Sequence, residues 1–181
     1  MRSSRYRRLP VFTALALAAF VKSAESQSVQ HFSLQGSGAA LFATKNDPNF
    51  ESKTGLGYEV QARYTFSRFS IGAGYQRSTV FSSPTLDLNL SLSLGFIEPR
   101  YVVAAGSAVA VYLAGRLGAG KLVCSEECQA QDTNLSYGGG GGLLFKLNPR
   151  LSADFGAQYF QVSGDLSSGY AMVRAGLSIG L

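Results

Sequence analysis

The strictest pattern in the chain is the run Thr85–Phe96, TLDLNLSLSLGF, in which every second residue is apolar. A period of two indicates a β-strand with one apolar and one polar face. The polar positions hold mostly small residues, which suit a narrow and crowded interior. We therefore predict that the leucines face lipid and that the small polar residues face the inside of a β-barrel. The run is long enough, because a membrane-crossing strand needs roughly 9–11 residues.

Seven further runs of this kind follow residue 26 and are separated by turn signals. The eight predicted strands are Val29–Ala43, Gly55–Phe66, Phe69–Thr79, Thr85–Val103, Ala108–Val123, Asn134–Leu147, Leu151–Val162 and Tyr170–Leu181. Short connections at 67–68, 104–107 and 148–150 alternate with longer polar ones at 44–54, 80–84, 124–133 and 163–169. This alternation is typical of an outer-membrane barrel. We predict an all-β fold, a closed eight-stranded antiparallel up-and-down transmembrane β-barrel in which strand eight pairs with strand one.

The fourth strand presents a conflict, because Glu98 and Arg100 continue the parity of its leucines. If that parity faces lipid, both charges would face lipid too, at a cost of several kcal/mol at depth. A β-bulge near Pro99 is therefore predicted, since it would return the two charges to the interior.

The first 26 residues are predicted to be a signal peptide, which leaves residues 27–181 as the barrel domain. A basic start is followed by the apolar run Leu9–Val21, and Ala24-Glu25-Ser26 places small residues before a cleavage site at Gln27. A membrane anchor helix is the alternative, but the apolar run is too short for one. Export makes an oxidising compartment the expected one.

Composition supports the barrel, and the apparent basicity gives no reason to expect a nucleic-acid partner. The leader contains five positive charges and one negative charge, so removing it lowers the formal charge from +5 to +1. Only 15% of residues are charged, against about 25% in ordinary soluble domains.

The leader, the eight alternating runs and the final strand VRAGLSIGL resemble the small eight-stranded bacterial outer-membrane barrels, the group that contains the OmpA transmembrane domain and OmpX. The resemblance implies location in the cell outer membrane, contact with outer-membrane lipid, and a monomer. It also implies periplasmic chaperones and the barrel-insertion machinery as partners during export. Leu181 departs from the family, in which the last residue is usually aromatic.

Charged residues on the polar parity of the strands form the candidate site. They are Glu59, Arg63, Asp87, Arg116, Asp154 and Arg174. Charges inside a narrow lumen must pair, because burying them singly is costly. We predict a structural network of salt bridges, with a gated polar pathway as the alternative. A wide pore is not expected, since side chains fill an eight-stranded barrel.

Three other features could carry chemistry. The run Gly138–Gly142 lacks the Lys-Ser/Thr and the helix start of a phosphate loop, so close backbone approach or room for aromatic rings is predicted instead. Cys124 and Cys128 favour a local disulfide; free thiols and metal capture with Glu126 and Glu127 are the alternatives.

The single histidine, His31, could serve a lipid hydrolase or acyltransferase together with Ser33. It is predicted to lie at the periplasmic end, away from the outer leaflet where such an enzyme would act. Neither an enzyme nor a cofactor is therefore expected.

Aromatic residues near the short turns are predicted to form a girdle at the membrane interface. They are Phe32, Tyr64, Phe66, Phe69 and Phe145. The sequence thus predicts a non-enzymatic integral outer-membrane protein with a structural or surface-interaction role. A narrow channel or carrier for small solutes or hydrophobic molecules, and a soluble periplasmic ligand-binding barrel, are the alternatives.

Overall fold

The computed structural model describes residues 31–44, 54–83, 88–124, 133–163 and 168–181. They form eight antiparallel strands: β1 (Phe32–Ala43), β2 (Gly55–Phe66), β3 (Phe69–Ser83), β4 (Leu88–Ala105), β5 (Val109–Cys124), β6 (Asn134–Lys146), β7 (Leu151–Val162) and β8 (Ser168–Gly180). Each strand pairs with the next in sequence, and β1 pairs with β8, so the sheet closes. The predicted fold class is confirmed. The predicted signal peptide lies outside the described residues.

The strand ends match the prediction closely except around the third connection. Residues 80–83 belong to β3 rather than to a loop; β4 is described from Leu88, and the predicted start at Thr85 lies outside the described residues. The strands β3, β4 and β5 are the longest, with 15, 18 and 16 residues. Within the described ranges, no helix is long and apolar enough to cross a membrane.

The connection between β2 and β3 is a two-residue turn, Ser67-Arg68, between the paired residues Phe66 and Phe69. Ser67 has a φ of 53°, in the left-handed region. Two-residue hairpin turns of the primed types need a positive φ at their first central position, because that twist matches the flanking strands.

The orientation predicted for β4 is wrong at Leu92, Leu94 and Phe96. Leu92, Leu94 and Phe96 are 1%, 0% and 5% exposed and face the barrel interior, whereas Gly95 is exposed on the outside. The charges decide the orientation. Glu98 shares the parity of the leucines, and placing a charge in lipid costs more than removing leucines from lipid.

The bulge predicted near Pro99 is wrong for the same reason. Pairing of β3 with β4 runs without a break from Phe69↔Tyr101 to Thr79↔Ser91, and Pro99 pairs with Ile71 within it. The register shifts lie elsewhere, between Thr79 and Phe81 in β3 and between Val102 and Ala104 in β4.

The outward face of the other seven strands is apolar, as predicted. Exposed large apolar side chains occur on each of them, for example Leu34, Val60, Ile71, Leu113, Leu143, Phe155 and Leu177. At outward positions of the described strands the charged residues are Arg77 and Lys121, which both pair with Ser93 on β4. The apolar belt therefore lies on the short-turn side of these two residues, which mark its end nearer the longer loops.

The five aromatic residues predicted for the girdle lie at the short-turn end of the barrel, and four of them make ring contacts there. The Tyr64 and Phe66 rings pack edge to face with centroids 4.8 Å apart, and the Phe66 and Phe69 rings stack at 6.0 Å. Phe145 meets Phe155 at 5.7 Å.

Candidate functional site: the barrel lumen

Inward-facing side chains divide the lumen into three levels. At the short-turn end lies an open cup of about 270 Å³, which we call the vestibule. In the middle, seven buried charged side chains form the charge network: Glu59, Arg63, Glu98, Arg100, Arg116, Asp154 and Arg174. Towards the longer loops, an apolar group forms the outer cluster: Ala39, Leu41, Leu92, Phe160, Val162, Tyr170 and Met172.

Glu98 is the centre of the charge network, because its carboxylate contacts all four arginines. Its Oε1 atom lies 3.0 Å from Arg63 Nη2 and 2.7 Å from Arg100 Nε. Its Oε2 atom accepts hydrogen bonds from Arg116 Nη2 at 2.9 Å and from Arg174 Nη1 at 3.0 Å. Since Glu98 is fully buried, its charge is compensated entirely by these neighbours.

The other two carboxylates each bridge two arginines. Glu59 accepts from Arg116 Nη2 and, at 2.8 Å, from Arg174 Nη1. Asp154 accepts from Arg100 Nη1 at 2.6 Å and lies 3.6 Å from Arg174 Nε. The network is therefore one connected unit and not a set of separate pairs.

Neutral side chains complete the hydrogen bonding of the network. Gln158 Nε2 donates to Glu98 Oε2 at 2.8 Å, and Arg116 Nη1 donates to Gln76 Oε1 at 2.7 Å. Aromatic rings cover two guanidinium groups as well. Arg116 lies over the Phe96 ring at 3.9 Å, and Arg100 lies over the Tyr112 ring at 4.4 Å. Such contacts offset part of the cost of burying charge.

The charges of the network do not cancel. Four arginines face three carboxylates, so the buried unit has a formal charge of +1. Arg63 has the weakest compensation, because it pairs with Glu98 alone among the carboxylates of the described residues.

Five of the six predicted lumen charges lie in the network: Glu59, Arg63, Arg116, Asp154 and Arg174. The predicted salt-bridge network is thus present, and Asp87 lies outside the described residues. Sequence reasoning missed Glu98 as the centre and Arg100 as its partner. The signal was that Glu98 and Arg100 share the parity of the leucines, which indicates that this whole parity of β4 faces inward. The bulge hypothesis instead moved the two charges and left the leucines facing outward.

The glycine run makes room in the lumen, as predicted. Gly142 lies against the Tyr112 ring and the Phe155 carbonyl, and a Cβ atom at Gly156 would lie 2.8 Å from Tyr112 Oη. The Tyr112 hydroxyl can therefore reach the network, where it donates to Asp154 Oδ1 at 2.9 Å. Gly138 and Gly140 likewise approach the backbone of β7 closely.

The leucines of β4 pack against glycines of the neighbouring strand. A Cβ atom at Gly118 would lie 3.1 Å from a Leu94 methyl group, and one at Gly120 would lie 3.0 Å from it. Phe96 reaches Gly74 on the other side. A large inward side chain on β4 is thus matched by small residues on β3 and β5.

The remaining candidates from the sequence are the two cysteines, a metal site and His31. Cys128 lies outside those residues, so the disulfide with Cys124 stays a prediction. No group of three or more metal-ligating side chains occurs among the described residues. His31 stacks on Tyr64 at 5.9 Å, and its Nδ1 atom lies 3.3 Å from the Thr65 carbonyl oxygen, at the short-turn end as predicted.

Solved structures with the same architecture include two bacterial proteins. The crystal structure of Neisserial surface protein A (NspA) matches with a TM-score of 0.71 and 18% identity, over 83% of this chain and 97% of that one. The crystal structure of Ail, the attachment invasion locus protein of Yersinia pestis, matches with a TM-score of 0.54 and 16% identity, over 82% and 95% of the two chains. The fold is that of the small eight-stranded outer-membrane barrels.

This similarity lies in the fold and not in a shared sequence signature. No protein-family model matches the chain, and no curated protein matches it in sequence.

Proposed function

We propose that the protein is a non-enzymatic integral protein of the bacterial outer membrane, which holds its longer loops at the cell surface for structural or interaction purposes. The observation that carries the proposal is the inversion of polarity across the barrel wall. Large apolar side chains cover the outside, while paired charges occupy the middle of the inside.

A soluble barrel would need the opposite arrangement. Its outward residues would meet water, and a contiguous apolar surface larger than a few hundred Å² is rare on soluble monomers. The outward side chains of Val60, Leu113 and Leu177 are each about half exposed in the isolated chain. A hydrocarbon environment removes that exposure, which favours the membrane over the periplasm.

The orientation follows from the connections. Short turns face the periplasm and longer loops face the outside in outer-membrane barrels. The names of NspA, a surface protein, and of Ail, an attachment protein, agree with a role for the longer loops. We propose a monomer that is delivered by a signal peptide over residues 1–26, periplasmic chaperones and the barrel-insertion machinery.

The charge network argues against a channel. Its side chains are almost fully buried and bridge β2, β4, β5, β7 and β8 across the lumen. An ion that passes would have to break several of these contacts. We expect no conductance in planar bilayers from the wild-type protein or from Arg63→Gln.

Membrane fractionation of Val60→Arg tests the proposal. A charge at this outward position in the middle of β2 should cost about 2–4 kcal/mol in a bilayer. The amount of folded protein in the membrane fraction, recognised by electrophoretic migration that changes on boiling, should therefore fall sharply. Arg77→Gln, beyond the belt, is the matched control and should assemble normally. A soluble barrel would accept Val60→Arg, and recovery of that variant in the periplasmic fraction as a folded protein, with the β-sheet circular dichroism of the wild type, would refute the proposal.

A further inference from the structure

We propose that the vestibule is a binding site for small soluble oxyanions, phosphate groups in particular. Five cationic side chains line it: Arg63, Arg68, Arg100, Lys146 and Arg150. Among the described residues, no aspartate or glutamate lines it. A concave site with charges of one sign and low-dielectric walls concentrates ions of the opposite sign.

The cations at the rim are uncompensated. Arg68, Lys146 and Arg150 are exposed, and none has a carboxylate of the described residues within 4 Å. They come from two short turns and the end of β6, so the closed barrel brings them together. Three unpaired cations around one opening leave a strong positive potential that an anion would relieve.

The floor of the vestibule adds to this potential. Arg63 and Arg100 are nearly fully buried and belong to the charge network, whose formal charge is +1. The Nε atom of Arg63 is buried and has no hydrogen-bond partner among the described residues. The network therefore does not neutralise the vestibule from below.

The remaining lining suits an oxyanion. Hydroxyl groups from several strands face the same space, namely those of Ser33, Thr65, Ser70, Ser152 and Ser178. Hydroxyl and guanidinium donors give phosphate the charge-assisted hydrogen bonds that it requires. The volume of about 270 Å³ leaves room for a phosphate group with part of its hydration shell.

The source of the anion follows from the geometry. The vestibule lies inside the ring of strands, so the barrel wall separates it from the surrounding lipid, and its opening faces the short-turn side. A soluble ion can enter there directly, whereas a lipid headgroup would have to leave the bilayer. That the opening faces the periplasm rests on the proposed function; anion binding itself does not.

Titration of the refolded full chain with inorganic phosphate at constant ionic strength tests the inference. The protein is held in zwitterionic detergent, and amide chemical shifts report the site. We expect saturable shifts at Ser70 and Ser152, and about tenfold weaker binding in Lys146→Gln/Arg150→Gln, because two charge-assisted contacts are lost. The matched control Arg77→Gln/Lys121→Gln removes the same charge from the outer surface and should bind as the wild type does.

Bilayer composition separates the two sources of phosphate. In nanodiscs of phosphatidylcholine alone and in discs that also contain phosphatidylglycerol, we expect the same affinity for inorganic phosphate. Loss of binding only in the anionic discs would overturn the assignment to a soluble ion, because the headgroup would then occupy the site. Shifts that do not saturate, or equal weakening in the control variant, would overturn the site altogether.

Discussion

The two halves of the lumen share one backbone geometry but have opposite chemistry. The half nearer the short turns is built from arginines, carboxylates and amides around Glu98, whereas the half nearer the longer loops is built from the apolar outer cluster. The charged half is stable only if every partner is present, and the apolar half only if its volume is filled. Inward parity thus fixes where a side chain points but not its polarity.

Strand β4 passes through both halves, which makes it the most informative element. Its inward residues change from Leu92 in the outer cluster, through Leu94 and Phe96, to Glu98 and Arg100 in the charged half. The four predictions that follow compare the halves with each other and with the outer surface, beginning with the largest expected effect.

Loss of the central carboxylate should produce the largest effect. Glu98→Gln leaves four buried arginines with two carboxylates, and breaking a buried ion-pair network typically costs about 3–5 kcal/mol. Urea titration of the detergent-folded protein should show that loss in the free energy of unfolding. Adding Arg63→Gln should recover part of it, because the charge imbalance becomes smaller. A cost below about 1 kcal/mol would show that the charged half does not depend on its centre.

Truncation in the apolar half should cost somewhat less. Leu41→Ala removes a fully buried side chain from the outer cluster and leaves a cavity, at about 2–4 kcal/mol. The control is Leu113→Ala within the apolar belt of the outward surface, where lipid fills the space and only about 1–2 kcal/mol of transfer energy is lost, without a cavity. Equal losses in the same urea titration would mean that the outer cluster is not packed as a core.

Filling a glycine position should separate the lumen from the outer surface. Gly142→Ala places a methyl group against the Tyr112 ring and the Phe155 carbonyl, and overpacking of this kind costs about 1–3 kcal/mol. At Gly38 a Cβ atom meets nothing within 4 Å, so Gly38→Ala should change stability by less than about 0.5 kcal/mol. Thermal unfolding monitored by circular dichroism measures both, and the order of the two effects is the test.

Removal of a polar contact outside the lumen should matter least. The Tyr75 hydroxyl donates to Ser93 Oγ at 3.2 Å on the outer surface of β3 and β4. Tyr75→Phe should therefore lower the free energy of unfolding by no more than about 0.5–1 kcal/mol. A larger loss would place this contact among the main stabilising features and would weaken the distinction between lumen and surface.

Most of the fold could be predicted from the sequence because alternation and turn residues are local signals. Strand number, closure and most strand limits depend on them, and so do the five predicted charges of the network that lie in the described residues. The orientation of β4 could not be derived from alternation, because both of its parities are compatible with a strand. It depends on the space that Gly118 and Gly120 provide on β5 for the inward side chains of β4, and on the ion pairs that Glu98 forms with arginines of other strands. Both are contacts between residues that are distant in sequence.

The group of cationic side chains at the short-turn end could not be predicted from the sequence either. Arg68 lies in the turn between β2 and β3, far along the chain from Lys146 and Arg150, which flank the turn between β6 and β7. Only the closed barrel and its register bring them around one opening, together with Arg63 and Arg100.

The orientation of β4 is the central claim, and tryptophan quenching tests it most directly. The chain contains no tryptophan, so Phe96→Trp and Ile97→Trp each provide a single reporter at neighbouring positions of one strand. In bilayers of acyl-chain-brominated phosphatidylcholine, we predict strong quenching for Ile97→Trp and little for Phe96→Trp. Strong quenching for Phe96→Trp together with weak quenching for Ile97→Trp would contradict the account.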